Sequence, residues 1–338
     1  MNTTVFRSLI SSFILALGVS LAGEASASEF KPSVKMKGKI FGSRGMDLSE
    51  GADSFNEFAI NRAYLTALGQ LSEEFMARVT TDVGYVKGSD DTKLRVYLKY
   101  AYLEWKDALP GVKLRIGAAG TGLVGLHDKF MGRRWIEKSY TDRVKLLSSS
   151  DYGIHALGKH MDGMLSYQVS IMNGEGYGKV ETDKAKAIQT RVTVDPLAGG
   201  SSGMKLPISG FVSYDVGAED TNMVAAGVLG FGFDYGKAWA EYVMAKEGDL
   251  SASGFMVTLV PEFGDVASGY LRFDSLDPNS DVEDDEVTKL YAGVTRDFHK
   301  KLSAGLIYER ETAKTLNDAG ELVDQVGQGI FARLYVGF

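Results

Sequence analysis

The chain contains no cysteine and only 6 prolines and 4 histidines among its 338 residues. The lack of cysteine excludes disulfides, thiolate catalysis, cysteine-bound metals and a lipid-modified cysteine. The sequence also lacks the G-x-S-x-G, H-E-x-x-H and phosphate-binding glycine motifs. No histidine lies in a recognisable Ser-His-Asp context, so an enzyme would have to assemble its groups from distant parts of the chain.

Long apolar runs are also missing beyond the N-terminus, since no stretch approaches the roughly 18 consecutive apolar residues of a membrane-spanning helix. The mean hydropathy is slightly negative. A transmembrane β-barrel has the same average, because half of the side chains on each strand face water. The mean hydropathy is therefore compatible with both a soluble protein and a membrane barrel.

The N-terminus has the pattern of a secretory signal peptide. One positive charge in Met1–Arg7 precedes the apolar run Ser8–Gly23, and Ala25-Ser26-Ala27 has the spacing of a signal-peptidase site. We predict cleavage after Ala27, which gives a signal peptide over residues 1–27 and one domain over residues 28–338.

The net charge of −7 is unevenly distributed. Residues 28–209 carry 26 basic and 21 acidic side chains, whereas residues 210–338 carry 10 basic and 22 acidic ones. This balance argues against a nucleic-acid partner. Such an asymmetry can instead set up an electric field across a pore.

Alternation of polar and apolar residues dominates the mature chain. It is clearest in residues 92–106, where Lys93, Arg95 and Lys99 alternate with Leu94, Val96, Leu98, Tyr100 and Tyr102. The pattern predicts sixteen strands, at residues 33–44, 56–71, 75–86, 92–106, 112–125, 151–161, 164–173, 186–195, 204–216, 223–235, 238–246, 251–263, 266–276, 287–298, 301–312 and 325–338. Their even number and their length favour an all-β fold, a transmembrane antiparallel up-and-down β-barrel of about sixteen strands.

The last predicted strand ends on Phe338 and places Ile330, Ala332, Leu334 and Val336 on one apolar face. It resembles the terminal strand of bacterial outer-membrane barrels, in which a final aromatic residue belongs to the assembly signal. The resemblance implies a bacterial outer-membrane location, contact with lipid and lipopolysaccharide, and recognition of Phe338 by the barrel-assembly machinery.

Residues 126–150 form the longest segment without alternation. They carry six cations against the acids Asp128, Glu137 and Asp142, and the segment follows strand five as the third outer loop. We predict that the segment folds into the lumen and forms a constriction; an ordinary surface loop is the alternative. The predicted constriction cations are Lys129, Arg133, Arg134, Lys138, Arg143 and Lys145. Phe130, Trp135 and Tyr140 are expected to pin the segment to the barrel wall, and a solute slide is the alternative.

Cations also recur on the polar faces of strands one to five, where Asp82 is the main acid. The predicted pore-lining cations are Lys35, Lys37, Lys39, Arg62, Arg78, Lys93, Arg95, Lys99, Lys113 and Arg115. Basic rings favour anions, but the lumen of any barrel must be polar. We therefore expect general passage of small hydrophilic solutes in preference to a dedicated anion site.

Two motifs carry a narrower resemblance. The sequence Phe58-Ala59-Ile60-Asn61-Arg62-Ala63-Tyr64-Leu65 resembles a second-strand motif of the phosphate-selective porin O/P type, and Met172-Asn173-Gly174-Glu175-Gly176 resembles an Asn-Gly element of that family. The resemblance implies a sixteen-stranded homotrimeric porin whose third loop folds inward, with an oxyanion-selective channel as the narrower possibility.

Other functions stay open as alternatives. The same barrel fold is also compatible with an enzyme or with a structural barrel whose pore is closed. Asp277, Asn279, Asp281, Glu283 and Asp285 alternate like a calcium loop but lack the spacing of an EF-hand. The sequence thus indicates no cofactor and no metal site.

Overall fold

The computed structural model describes residues 30–49, 56–85, 93–200, 203–316 and 322–338. The predicted signal peptide, residues 1–27, lies outside the described residues. Among those that are described, no helix combines the length and the apolarity that crossing a membrane requires.

Sixteen strands form one antiparallel sheet in which each strand pairs with its neighbours along the chain. They are β1 (Ser33–Asp47), β2 (Asn56–Gln70), β3 (Phe75–Tyr85), β4 (Leu94–Leu109), β5 (Val112–Gly120), β6 (Ser150–His160), β7 (Leu165–Met172), β8 (Lys186–Val194), β9 (Ile208–Val216), β10 (Asn222–Phe233), β11 (Gly236–Glu247), β12 (Leu250–Phe263), β13 (Ala267–Asp277), β14 (Val287–His299), β15 (Leu302–Leu316) and β16 (Leu322–Gly337). The prediction of a sixteen-stranded antiparallel barrel is confirmed.

Pairing between β1 and β16 closes the sheet into a barrel, so that each described strand has a neighbour on both sides. The pairing reaches the last residue, because the Gly38 N–H donates to the Phe338 carbonyl at 2.9 Å and the Phe338 N–H donates to Gly38 at 3.0 Å. The Phe338 ring also covers Gly38 so closely that a Cβ would collide with it. A larger residue at position 38 would therefore displace the Phe338 ring from the seam of the barrel between β1 and β16.

The two faces of each strand differ, as β12 illustrates. Val257 and Leu259 are 40% and 44% exposed, whereas Met256 and Val260 are 0% and 1% exposed. Because successive side chains of a barrel strand point alternately outward and inward, the exposed apolar residues form the outer surface. This is the exterior of a transmembrane barrel, in which apolar side chains face lipid.

The predicted pattern of β4 is wrong beyond Leu98. The register with β3 shifts between the pairs Thr81–Leu98 and Thr80–Tyr100, so one residue is inserted at Lys99. A bulge of this kind reverses the side on which the following residues lie. Tyr102 is consequently 7% exposed and lies on the inner face, in contrast to the outward position that uninterrupted alternation predicts.

The connection between β5 and β6, residues 121–149, is here named the connecting segment. It contains helix α1 (Gly122–Met131) and the short helix α2 (Tyr140–Arg143). The prediction of a strand over residues 112–125 is therefore wrong at its end, since β5 stops at Gly120. The spacing of the buried residues Leu123, Val124, His127 and Met131 is that of one helix face and outweighs the alternation of the preceding strand.

Candidate functional site

Apolar burial anchors the connecting segment. Leu123 and Val124 of α1 are at most 1% exposed, and Ile136 is 2% exposed. They belong to one apolar cluster with inner-face residues of β11, β12, β14 and β15, among them Trp239, Met256, Tyr291 and Ile307. Each such side chain contributes roughly 1.5–3 kcal/mol of burial free energy.

The three aromatic residues predicted to pin the segment all contact the barrel or are buried. The Tyr140 hydroxyl donates to the Ser275 carbonyl at 2.5 Å, and the side chain is fully buried. The Phe130 ring packs against Trp239 with centroids 5.3 Å apart. Trp135 is 6% exposed. These contacts hold the segment against β11 and β13.

Acids of the segment itself pair with two of its predicted cations. Arg134 Nε lies 3.2 Å from Asp128, and its Nη2 lies 3.0 Å from Asp142. Lys138 Nζ lies 3.9 Å from the same Asp142. Asp128 and Asp142 raise the pKa of Arg134 against the opposing effect of burial. These two cations are therefore neutralised within the segment.

Acids of the barrel wall pair with two more. Arg143 Nε lies 2.7 Å from Asp274 on β13, and its Nη1 lies 3.9 Å from Glu311 on β15. Arg133 Nη2 lies 3.7 Å from Glu262 Oε1, and its Nη1 lies 3.5 Å from Asp297 Oδ2. The acidic last third of the sequence thus supplies the counter-charges of Arg133 and Arg143.

Glu137 links the segment to β14. Its Oε2 accepts a hydrogen bond of 2.8 Å from the Tyr291 hydroxyl. Burial alone would raise the pKa of Glu137, but the positive charges of Arg272 and Lys289 outweigh burial and lower it to about 2. The carboxylate is ionised at neutral pH and is stabilised by the charge of these two wall cations.

One group of strand cations is paired with acids of the barrel wall. Arg62 lies 2.7 Å from the buried Asp82, and Lys99 lies 3.9 Å from it. Lys99 also donates to Ser149 at 2.8 Å, at the end of the connecting segment. Glu104 similarly contacts Arg115 at 2.8 Å and Lys113 at 3.5 Å. Each of the two acids contacts two cations, so this part of the wall is only partly neutralised and stays net positive.

A second group of strand cations, which shares Lys99 with the first, lines a cavity of ≈ 800 Å³ between β1–β4, β14–β16 and the connecting segment. Its wall includes the predicted cations Lys37, Lys39, Arg78 and Lys99, and the segment contributes Arg133 and Arg134. Arg78 packs over the Tyr100 ring at 4.3 Å and donates to Thr80 at 3.0 Å. Within the described part of the chain, Lys37, Lys39 and Arg78 have no carboxylate in ion-pairing contact. This cavity is the candidate functional site.

The remaining predicted cations lie elsewhere. Lys35, Lys93 and Arg95 are exposed and do not line this cavity, and neither do Arg62, Lys113, Arg115, Lys138 and Arg143. Lys129 and Lys145 are exposed on the connecting segment, and no ion pair joins either of them to a described residue. The structure thus brings together six of the sixteen predicted cations at one cavity. The cavity is also lined by Tyr64, Thr66 and Tyr335. Strand parity is the one sequence feature that could have placed them there.

A serine–histidine contact that the sequence did not indicate lies in the barrel wall. His155 Nδ1 on β6 lies 3.0 Å from Ser170 Oγ on β7. Both side chains are at most 1% exposed, so a substrate has no access to them. In the described ranges no carboxylate hydrogen-bonds to His155, which is the contact that a triad needs to orient its histidine.

Carboxylates cluster on the connection between β7 and β8. Oxygens of Glu175, Glu181 and Asp183 lie within 4.8 Å of one another. Lys186 Nζ lies 2.7 Å from Glu181 and offsets part of that charge. In the acidic connection after β13, Asp284 likewise contacts Lys314 at 2.9 Å. In both clusters, a solvent-accessible ion pair with a lysine offsets part of the negative charge.

Comparisons with known proteins give a fold and no sequence family. No family model matches the chain, and no curated protein matches it by sequence. Among solved structures, Pseudomonas putida OprB at high pH is similar with a TM-score of 0.65 and 10% identity, over 90% of this chain and 94% of that one.

Two further structures cover 91% of this chain and 100% of their own chains at 12% identity. They are an anion-selective porin from Comamonas acidovorans, with a TM-score of 0.61, and the trimer form of in-vitro folded OmpT, an outer membrane protein of Vibrio cholerae, with a TM-score of 0.59. The chain therefore has the fold of the sixteen-stranded barrels of bacterial outer membranes.

Proposed function

We propose that this protein is an outer-membrane porin through which small hydrophilic solutes diffuse passively. The connecting segment carries the proposal, because it contacts inner-face residues on β11, β13 and β14, on the side of the barrel away from its own attachment. A segment that reaches those strands from β5 crosses the inside of the barrel and narrows it. It corresponds to the predicted inward loop 126–150, lengthened by the first turn of α1.

The cavity beside the segment supports a preference for anions. Lys37, Lys39 and Arg78 line it without ion-paired carboxylates, whereas Arg133 and Arg134 face it already paired. Asp128 and Asp297 are the carboxylates among the described lining residues. Basic side chains along a pore lower the electrostatic barrier for anions. The wall cations of β1 and β3 set this preference more than the segment arginines do.

An oxyanion-selective channel is the second candidate. The hydroxyls of Thr66 and Thr80 lie in the same cavity as Arg78, 2.8 Å from each other. Guanidinium and hydroxyl groups together suit an oxyanion. The acids that pair with the segment arginines favour the general porin.

Assembly and location belong to the same proposal. The trimer form of the similar Vibrio cholerae protein supports a homotrimer. The exposed apolar exterior supports contact with outer-membrane lipid and lipopolysaccharide. Phe338, which completes the seam with Gly38, is the residue through which the assembly machinery would recognise the chain.

Planar-bilayer recording tests the function. Under a potassium chloride gradient we expect stepwise conductance and a reversal potential on the anion side. The double variant K39Q/R78Q should shift that potential towards cations more than R133A/R134A does, and the exposed K145A should leave it unchanged. An absence of steps in folded protein would overturn the pore. Equal permeability that K39Q/R78Q does not alter would overturn the anion preference.

A further inference from the structure

Arg191 on β8 is a buried cation without a counter-charge. It is 8% exposed, its Nη1 donates to Thr193 Oγ1 at 2.8 Å, and its Nε has no hydrogen-bond partner. No carboxylate of the described chain contacts it. Seven other arginines of the barrel and the segment do contact a carboxylate: Arg62, Arg115, Arg133, Arg134, Arg143, Arg272 and Arg333. A buried charge without a partner is costly.

The N-terminus of α1 lies beside this arginine. A Cβ on Gly122, the first residue of the helix, would lie 3.4 Å from Arg191 Cβ and 3.9 Å from its Cδ. The aliphatic part of the Arg191 side chain therefore lies against the first residue of the helix. Thr121 gives no side-chain cap, since its hydroxyl donates to the Ser148 carbonyl at 2.5 Å, and the first turn contains no acid. The N–H groups there carry the positive end of the helix dipole.

The surroundings on the neighbouring strands are neutral. Gln168 lies opposite Arg191 on β7, and its amide nitrogen donates to the Gly120 carbonyl at 2.8 Å. Phe211 lies opposite it on β9. The Thr193 hydroxyl that accepts from Arg191 is 2.7 Å from Ser209 Oγ. Two sources of positive charge therefore meet where the nearby side chains supply no negative charge.

We infer that Arg191 Nε and the first-turn N–H groups of α1 bind a small monovalent inorganic anion such as chloride. A guanidinium contributes one positive charge and a helix N-terminus about half of one, so a single negative charge is fully compensated, whereas the charge of a dianion would exceed the positive charge by about half a unit. The close approach of Gly122 also favours a small ion. The bound ion would hold α1 against β8. This structural role does not depend on whether the barrel conducts.

Bromide replaces chloride at such sites and is visible by anomalous X-ray diffraction. Crystals of the purified protein grown in sodium bromide should show a peak within hydrogen-bonding distance of Arg191 Nε. The peak should disappear in Arg191→Met and persist in Arg115→Met, because Arg115 has its own partner in Glu104. A wild-type map without a peak at Arg191 would overturn the inference, even if Arg191→Met did not fold.

Thermal unfolding in detergent gives a second readout. Replacing gluconate by chloride at constant ionic strength should raise the unfolding midpoint of the wild type and of Arg115→Met, since an ion that binds only the folded state stabilises it. Arg191→Met should show no such rise. A midpoint that does not depend on chloride in the wild type contradicts the site. Neither readout requires conduction, so failure here is distinct from failure of the pore.

Discussion

Arg143 Nε of the connecting segment lies 2.7 Å from Oδ2 of Asp274 on β13, and Asp274 is fully buried. The same carboxylate accepts hydrogen bonds of 2.7 Å from the Nε and Nη2 of Arg272. One acid of the barrel wall therefore binds an arginine of its own strand and an arginine of the segment. This contact joins the two parts of the candidate pore.

Asp274→Asn should loosen the segment. The change leaves two buried arginines short of a negative charge, and breaking one side of a buried ion pair costs about 3–5 kcal/mol. We expect a lower urea midpoint and noisier, larger single-channel currents. Lys145→Ala, which alters an exposed cation of the same segment, is the control. Wild-type currents in Asp274→Asn would show that the pair does not hold the segment.

Gly254→Ala should displace Tyr140. A Cβ on this β12 residue would collide with the Tyr140 hydroxyl and with the Ser275 carbonyl that accepts its hydrogen bond. The segment would have to move away from β12 and the β13 backbone would have to shift locally, so we expect increased conductance together with a lower unfolding midpoint. Gly227→Ala on β10, where a Cβ meets nothing within 4 Å, is the matched control. Equal conductance in the two variants would contradict the role of Tyr140.

Val257→Arg tests the outer surface. Val257 lies near the middle of β12 and is 40% exposed. An arginine on the lipid face near the bilayer midplane costs about 2–4 kcal/mol. We expect a loss of this size in folding equilibria in lipid vesicles, with little change for Val257→Leu. A tolerated arginine would contradict the lipid-facing assignment.

The fold followed from the sequence because strand parity is a local signal. The bounds of β12 were predicted as 251–263 and observed as Leu250–Phe263, because the pattern that marks a strand lies within the strand itself. The end of β5 was mispredicted, because Gly120 and Gly122 carry no side chain and Thr121 makes no capping hydrogen bond that would mark the start of the helix. The bulge at Lys99 left no signal either, since the extra residue is defined by its pairing with β3.

The site was less predictable because charge pairing is not local. The composition located cations in the segment and acids in the last third, but Arg143 and Asp274 are 131 residues apart along the chain. Parity placed Lys39 and Arg78 on the inner face, and only the closed barrel shows that they share a cavity with Arg134. Arg191 was missed because a single arginine in an alternating strand resembles any lumen residue.

Glu137 predicts the pH dependence of the segment. Its pKa is lowered to about 2 in the folded protein, chiefly because the charges of Arg272 and Lys289 outweigh burial. A carboxyl whose folded pKa lies below its unfolded value stabilises the fold above the unfolded pKa, here near 4.5. That contribution, about 3 kcal/mol, is lost as the pH falls from about 4.5 to 2. Glu137→Gln should remove this part of the pH dependence of the urea midpoint and lower stability at neutral pH. Glu73→Gln, on an exposed turn, should retain the wild-type profile. A Glu137→Gln profile parallel to the wild type over that interval would show that another carboxyl sets the acid response.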